Sequence, residues 1–269
     1  MRPINIIWMI LLTAITSCMG SLTAQNSVLF CYGDFYPQAV SGLDYVVVEP
    51  VIFNAADVAV LKSQNKKVLA YISLGEVSAV ASHYEKVKSE TLAKNEIWNS
   101  HALDISAPKT RAALMDLIVE HIEDKGFDGL FLDNIDNYTL YGPTPEKKEA
   151  LVSFLKEVKF RFRESVLMQN AGLQIVDATE PYIDIVAVES VASDYNFDTQ
   201  QYQMRSNDGF EERLNNTLEI RDTYNLPILL IEYADSQKLR TEILNRLKPY
   251  QFDVFVGQID LQKIPEFRP

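Results

Sequence analysis

Between residues 28 and 258, eight short apolar runs alternate with segments of helical periodicity, and this alternation constrains the chain more than any other feature. The runs fall at 28–34, 45–49, 68–73, 129–133, 166–170, 185–189, 228–232 and 252–258. Continuous apolar character over four to eight residues reads as a strand buried on both faces, as in a parallel sheet. Helical patterns lie between most of them, at 55–64, 110–124, 146–164, 210–224 and 236–247. The clearest is 110–124, where Ala113, Leu114, Leu117, Ile118 and Ile122 share one face. Eight strand–helix units in roughly 240 residues predict an α/β chain folded as a single (β/α)8 TIM barrel. A doubly wound open sheet shares the same alternation, but no Gly-x-Gly-x-x-Gly follows the first strand.

The barrel accounts for residues 25–269 as one domain, since no linker or low-complexity stretch interrupts it. Residues 1–24 read as an export signal. Arg2 supplies a positive start and 4–15 is an apolar core with Trp8, Ile10, Leu11 and Leu12, too short to span a bilayer. Ile15-Thr16-Ser17-Cys18 has the form of a bacterial lipobox, which leaves Cys18 as the lipidation candidate; Ala24 before Gln25 offers an ordinary cleavage site instead. Either way the expectation is an exported protein: a bacterial cell-envelope lipoprotein, or a periplasmic or extracellular one. Membrane contact would come only through a lipid anchor. Cys31 is then the sole thiol of the mature domain, and no internal disulfide is available.

Composition removes several classes of function. A net charge of -12 argues against nucleic acid as a partner. The three histidines, His83, His101 and His121, all fall away from strand ends, so a His-rich zinc site is not expected. No Gly-x-Ser-x-Gly and no strand-end Lys is present, which disfavours a serine triad or covalent lysine chemistry. No cofactor or metal is called for. A carboxylate-ligated Mg or Ca hydrolase stays as a third reading.

What the strand ends do carry is acid and amide: Asp34, Glu49, the Ser73–Glu76 turn, Asp133, Asn170, Glu189, Glu232, then Gln258 with Asp260. A phosphate site would want cations or glycine-rich amide nests there. This mouth is anionic, suited to a cationic ligand or to positive charge developing in a transition state. Asp133 is in phase with Phe131 and Glu189 with Ala187, so both point inward if those residues do. Two strand spacings of backbone, with side chains reaching inward, bring the carboxyls to about 5–6 Å, the range of a retaining glycosidase; a gap of about 6.5–9.5 Å would suit an inverting one. Crowded carboxylates push one pKa up, giving an acid beside a base. Two long excursions follow the third strand (77–108, with Tyr84 and Trp98) and the sixth (191–208, with Tyr195, Phe197 and Tyr202), on the face where barrel active sites are built.

Three sequence blocks, Tyr71-Ile72-Ser73-Leu74-Gly75-Glu76, Leu103-Asp104-Ile105, and Gly126-Phe127-Asp128-Gly129 running into Leu132-Asp133-Asn134-Ile135-Asp136, resemble the signature blocks of glycoside hydrolase family 114. The resemblance implies a (β/α)8 barrel of the endo-α-1,4-polygalactosaminidase type, acting on α-1,4-linked galactosamine-containing polysaccharide. Carried over by position, Asp133 is the nucleophilic or base carboxylate and Glu189 the general acid/base, with Asp136 and Glu232 as their rivals. Substrate-binding candidates are Asp34, Tyr71, Ser73, Glu76, Asp136, Asn170, Glu232 and Gln258. The partner expected is a polysaccharide or oligosaccharide, amino-sugar containing. A non-catalytic carbohydrate-binding barrel is the alternative from another class.

Overall fold

Each strand of the main sheet pairs in parallel with the one before it, in chain order. In the computed structural model, which describes residues 28–266, these are β1 (Val28–Cys31), β2 (Tyr45–Val48), β3 (Lys67–Ser73), β4 (Gly129–Asp133), β5 (Val166–Asn170), β6 (Ile185–Glu189), β7 (Ile228–Tyr233) and β8 (Asp253–Gly257). The leader at 1–24, with Cys18, lies outside the described residues. β1 returns to lie against β8. No ladder joins them; the Tyr32 amide instead donates to the Leu261 carbonyl at 2.7 Å across the seam. That turn of the backbone ends β1 at Cys31, short of the expected Asp34. The chain is the expected (β/α)8 barrel.

Period-two alternation sorts the side chains of each strand. Phe30 of β1 meets Phe131 of β4 at 5.2 Å and Phe255 of β8 at 5.3 Å, both edge to face, so these strands share one filled interior. Burying rings this completely contributes about 1.5–3 kcal/mol each. In β6, Ile185 and Ala187 join that interior, while Val186 and Val188 pack outward with Phe210 and Leu214. In β7, Leu229, Ile231 and Tyr233 face in, whereas Ile228 and Leu230 pack outward with Ile243.

The long helices are α1 (Ala55–Gln64), α2 (Pro108–Val119), α3 (Lys148–Arg161), α4 (Asn207–Tyr224) and α5 (Gln237–Leu247). Their starts are locally specified. Asn54 caps α1 by accepting from the Ala56 and Asp57 amides at 2.8 and 3.1 Å, and Asp57 returns the bond to the Asn54 amide. Ser206 and Ser236 cap α4 and α5. α2 runs on through a π-turn, Glu120–Asp124, and stops at Gly126, whose φ of 80° is left-handed. Among the described residues no helix is long and apolar enough to cross a membrane.

Both excursions contain structure that apolar periodicity did not reveal. After β3, Glu76–Ser78, Thr91–Asn95 and Ser100–Leu103 form a small antiparallel sheet. After β6, Ser193–Asn196 and Gln201–Met204 form a hairpin. These strands are short and largely polar, so period-two hydrophobicity is weak in them.

Candidate active site

β4, β5 and β6 end in the candidate site residues Asp133, Asn170 and Glu189, each followed at once by a residue in the left-handed region. Asn134, Ala171 and Ser190 have φ of 58°, 58° and 56°. Non-glycine residues there are strained by about 1–3 kcal/mol, a cost that concentrates at functional sites. The strained turns still keep the pairing going. Leu74 donates its amide to Asp133, Ala171 to Ala187 and Ser190 to Ile231, at 2.8–3.1 Å. Three consecutive strand ends thereby stay paired to their neighbours, with their last inward side chains aimed into the mouth.

Those side chains meet. Asn170, 3% exposed, donates from one nitrogen, Nδ2, to Asp133 Oδ1 at 2.9 Å and to Glu189 Oε1 at 2.6 Å. Two oxygens on those legs are no more than 5.5 Å apart, 2.9 plus 2.6. Each carboxylate also accepts from a tyrosine at its other oxygen. Tyr71 donates to Asp133 Oδ2 at 2.8 Å, and the Tyr233 hydroxyl donates to Glu189 Oε2. Tyr32 stacks obliquely on Tyr71, ring centres 4.8 Å apart.

Electrostatics single out Glu189. Burial, then the charge of Asp133, pushes the Glu189 carboxyl above the ordinary glutamate range, against the bonds from Tyr233 and Asn170; Asp136 adds to the rise. Crowding by protein and the charge of Asp133 also raise Asp136, whose side chain is nonetheless exposed at the rim. Burial and the neighbouring carboxylates raise Tyr32, Tyr71 and Tyr233 well above ordinary tyrosine, so all three remain protonated donors. Glu189 is the group suited to hold a proton.

The three signature blocks are one interlocked piece. The Gly75 carbonyl accepts from the Leu103 amide at 2.8 Å and from Asn137 Nδ2 at 3.2 Å, tying the first block to the second and to the residue that follows the third. Ser73 donates to Asn134 Oδ1 at 2.6 Å and accepts from the Glu76 amide at 2.9 Å, and Tyr138 donates to the Leu74 carbonyl at 2.7 Å. A Cβ on Gly75 would lie 2.5 Å from the Asn134 carbonyl oxygen, so no larger residue fits that approach.

Of the expected substrate-binding residues, Tyr71 and Asn170 join the carboxylate pair and Asp136 rims it. Two others stand elsewhere. Glu232 is in phase with Ile228 and Leu230 and so faces outward; fully buried, it accepts from the Val191, Ala192 and Ser193 amides at 3.0, 3.0 and 2.7 Å and from the Ser193 hydroxyl. This corrects its placement as a rival to Glu189. Glu76 is likewise buried, accepting from Asn95 at 3.0 Å, from Asn137 at 3.4 Å and from the Ser100 hydroxyl, which corrects its placement on a sugar subsite. Ser73 is bonded into its turn. Asp34 and Gln258 are exposed, and among the described residues no side-chain bond ties them to the pair. Tyr233 and Tyr32 were missed, although Tyr233 follows Leu229 and Ile231 in the inward phase. Among the described residues no group of His, Cys, Asp and Glu has the geometry to hold a metal ion.

Paired carboxylates at the C-terminal mouth of a (β/α)8 barrel are the arrangement that glycoside hydrolases use. The profile of Glycoside-hydrolase family GH114 matches residues 22–268, and the chain belongs to that family. Among solved structures, the glycoside hydrolase domain of PelA from Pseudomonas aeruginosa is 28% identical, with a TM-score of 0.78 over 88% of this chain and 96% of that one. Aspergillus fumigatus Ega3, solved in complex with galactosamine, superimposes with a TM-score of 0.71 over 91% of this chain and 95% of its own; at 15% identity it speaks for the fold alone. No curated protein sequence matches the chain.

Proposed function

We propose that the protein cleaves an α-1,4-linked galactosamine-type polysaccharide with retention of configuration, and that it does so outside the cytoplasm, either released or anchored through Cys18. The observation that carries the reading is the single Asn170 nitrogen bound by both Asp133 and Glu189, which keeps their facing oxygens within 5.5 Å (2.9 plus 2.6). Retaining glycosidases place their carboxyls about 5–5.5 Å apart, whereas inverting ones need about 6.5–9.5 Å to admit a water. Protonated Glu189 donates its proton to the glycosidic oxygen as the bond to the anomeric carbon breaks. Asp133 attacks that carbon from the opposite face and forms a glycosyl ester. Glu189, now ionised, takes a proton from water, which attacks the anomeric carbon and releases Asp133. Tyr71, Tyr233 and Asn170 hold both carboxylates in place through these steps. Crowded anionic groups favour the oxocarbenium-like transition state and attract a de-N-acetylated amino sugar. Release of reducing ends from partly deacetylated α-1,4-galactosamine oligomers tests the reading; binding of those oligomers without release would leave a carbohydrate-binding barrel.

A further inference from the structure

Glu76 and Glu232, two strand-end glutamates that do not reach the catalytic pair, do the same thing as each other. Each fastens the base of one excursion. Glu76 holds Asn95, and Asn95 Oδ1 in turn accepts from the Ile97 and Trp98 amides at 3.1 and 3.4 Å. Glu232 holds the Val191–Ser193 backbone at the foot of the hairpin whose turn carries Phe197. The two aromatics so positioned touch: Trp98 and Phe197 stand edge to face with ring centres 5.7 Å apart.

This contact bridges the mouth. β3 and β6, from which the excursions arise, are three strands apart, about 14 Å along the barrel wall. The strands between them are β4 and β5, which carry Asp133 and Asn170. The hairpin leans inward on its other side too, since Tyr202 accepts from the Ile259 amide beyond β8 at 3.1 Å. Tyr195 backs the pair, 5.0 Å from Phe197 and 4.7 Å from Tyr202. Despite these contacts Trp98 is 56% and Phe197 48% exposed. Large rings held in a fixed arrangement yet left open to water mark a binding surface. The placement of other exposed apolar side chains agrees: among the described residues all except Phe160 lie on connections that follow a strand's C-terminal end, Tyr36, Val51, Leu140 and Tyr141 among them.

We propose that Trp98 and Phe197 form a stacking subsite that holds one sugar of a polysaccharide chain away from the scission point. The inference rests on the glycosidase reading and adds to it where the chain runs. A sugar ring offers an apolar C–H face that suits the face of an indole or phenyl ring, and a protonated amine on it adds attraction to the ring quadrupole. Glu76 and Glu232 are positioning residues for this subsite, acting through Asn95 and the Val191–Ser193 backbone.

The test uses the full chain carrying D133N, so that substrate is bound without being cut, and α-1,4-galactosamine oligomers of two to eight units. Affinity should rise with length, and W98A or F197A should erase about tenfold of that rise while leaving binding of the shortest oligomer within about twofold, with W98Y restoring most of it. Trp98 and Trp8 are the only tryptophans, so emission missing from W98F isolates Trp98, and this emission should shift with long oligomers and not with the shortest. A length dependence unmoved by these substitutions, with Trp98 emission unmoved by long oligomers, overturns the subsite while the glycosidase reading stands. Absence of binding at every length, with no reducing ends released by the unsubstituted chain, overturns that reading and the subsite with it.

Discussion

Glu232 and Tyr233 are consecutive in the chain and face opposite sides of β7. Inside the barrel the Tyr233 hydroxyl donates to Glu189, while outside it the Glu232 carboxylate gathers three backbone amides and a hydroxyl from the chain after β6. One residue of phase separates a group that tunes the chemistry from a group that holds the scaffold.

Substitution should resolve the two. E232A leaves buried amides without an acceptor, at about 1–3 kcal/mol each, and should cost about 3–5 kcal/mol in unfolding free energy, with hydrogen exchange rising first in Ser193–Met204. Y233F should cost only about 1 kcal/mol yet lower kcat. Chemical denaturation and turnover, measured on the same preparations, check both.

The alkaline limb of the rate profile should be set by Glu189 losing its proton. Because its carboxyl is held above the ordinary range, that limb lies above the unperturbed glutamate value of 4.5. D136N removes a negative neighbour that favours the protonated form, so the limb should move to lower pH. Y233F removes a donor that favours the ionised form, so it should move to higher pH. Opposite displacements in kcat/KM profiles are the expected outcome; displacement in one direction by both variants contradicts the assignment.

Gly75→Ala would set a methyl 2.5 Å from the Asn134 carbonyl oxygen and 2.9 Å from Asn137 Nδ2. Relief requires the turn after β4 to move, at about 1–3 kcal/mol. Asp133 sits at the root of that turn, so kcat should fall by about a hundredfold, the cost of misplacing a reacting group by roughly 1 Å.

His121 is buried within the π-turn, and burial lowers its pKa to about 4. A histidine held neutral in the fold favours folding above its unfolded pKa near 6.5, and that contribution is lost as pH falls from 6.5 toward 4. The loss amounts to about 3 kcal/mol. H121L should flatten the acid side of the stability curve, read by denaturation midpoints at pH 7, 5.5 and 4.5.

How much of this was legible in the sequence follows from which signals are periodic. The eight barrel strands stand out as short continuous apolar runs, and the five long helices because their apolar residues recur about every 3.6 positions. Asp133 and Glu189 could be paired because each continues an inward phase, Phe131–Asp133 and Ala187–Glu189. The same rule, applied at β7, points to Tyr233; Glu232 was chosen on charge, which carries no phase. The excursion sheets escaped notice because their strands are held by Glu76 and Glu232 rather than by an apolar face. Asn170 bonding both acids from one nitrogen depends on the stagger between strands, Asn170 pairing with Ala187 rather than with Glu189, and register is not written in composition.

The most direct measurement is covalent trapping. A 5-fluoro α-galactosaminyl fluoride should form a slowly hydrolysed ester with the unsubstituted protein, and peptide mapping should find the sugar on Asp133. Sugar mapped to Asp136 or Glu189, or full turnover in D133N with no adduct, would contradict the assignment of Asp133 as the attacking carboxylate.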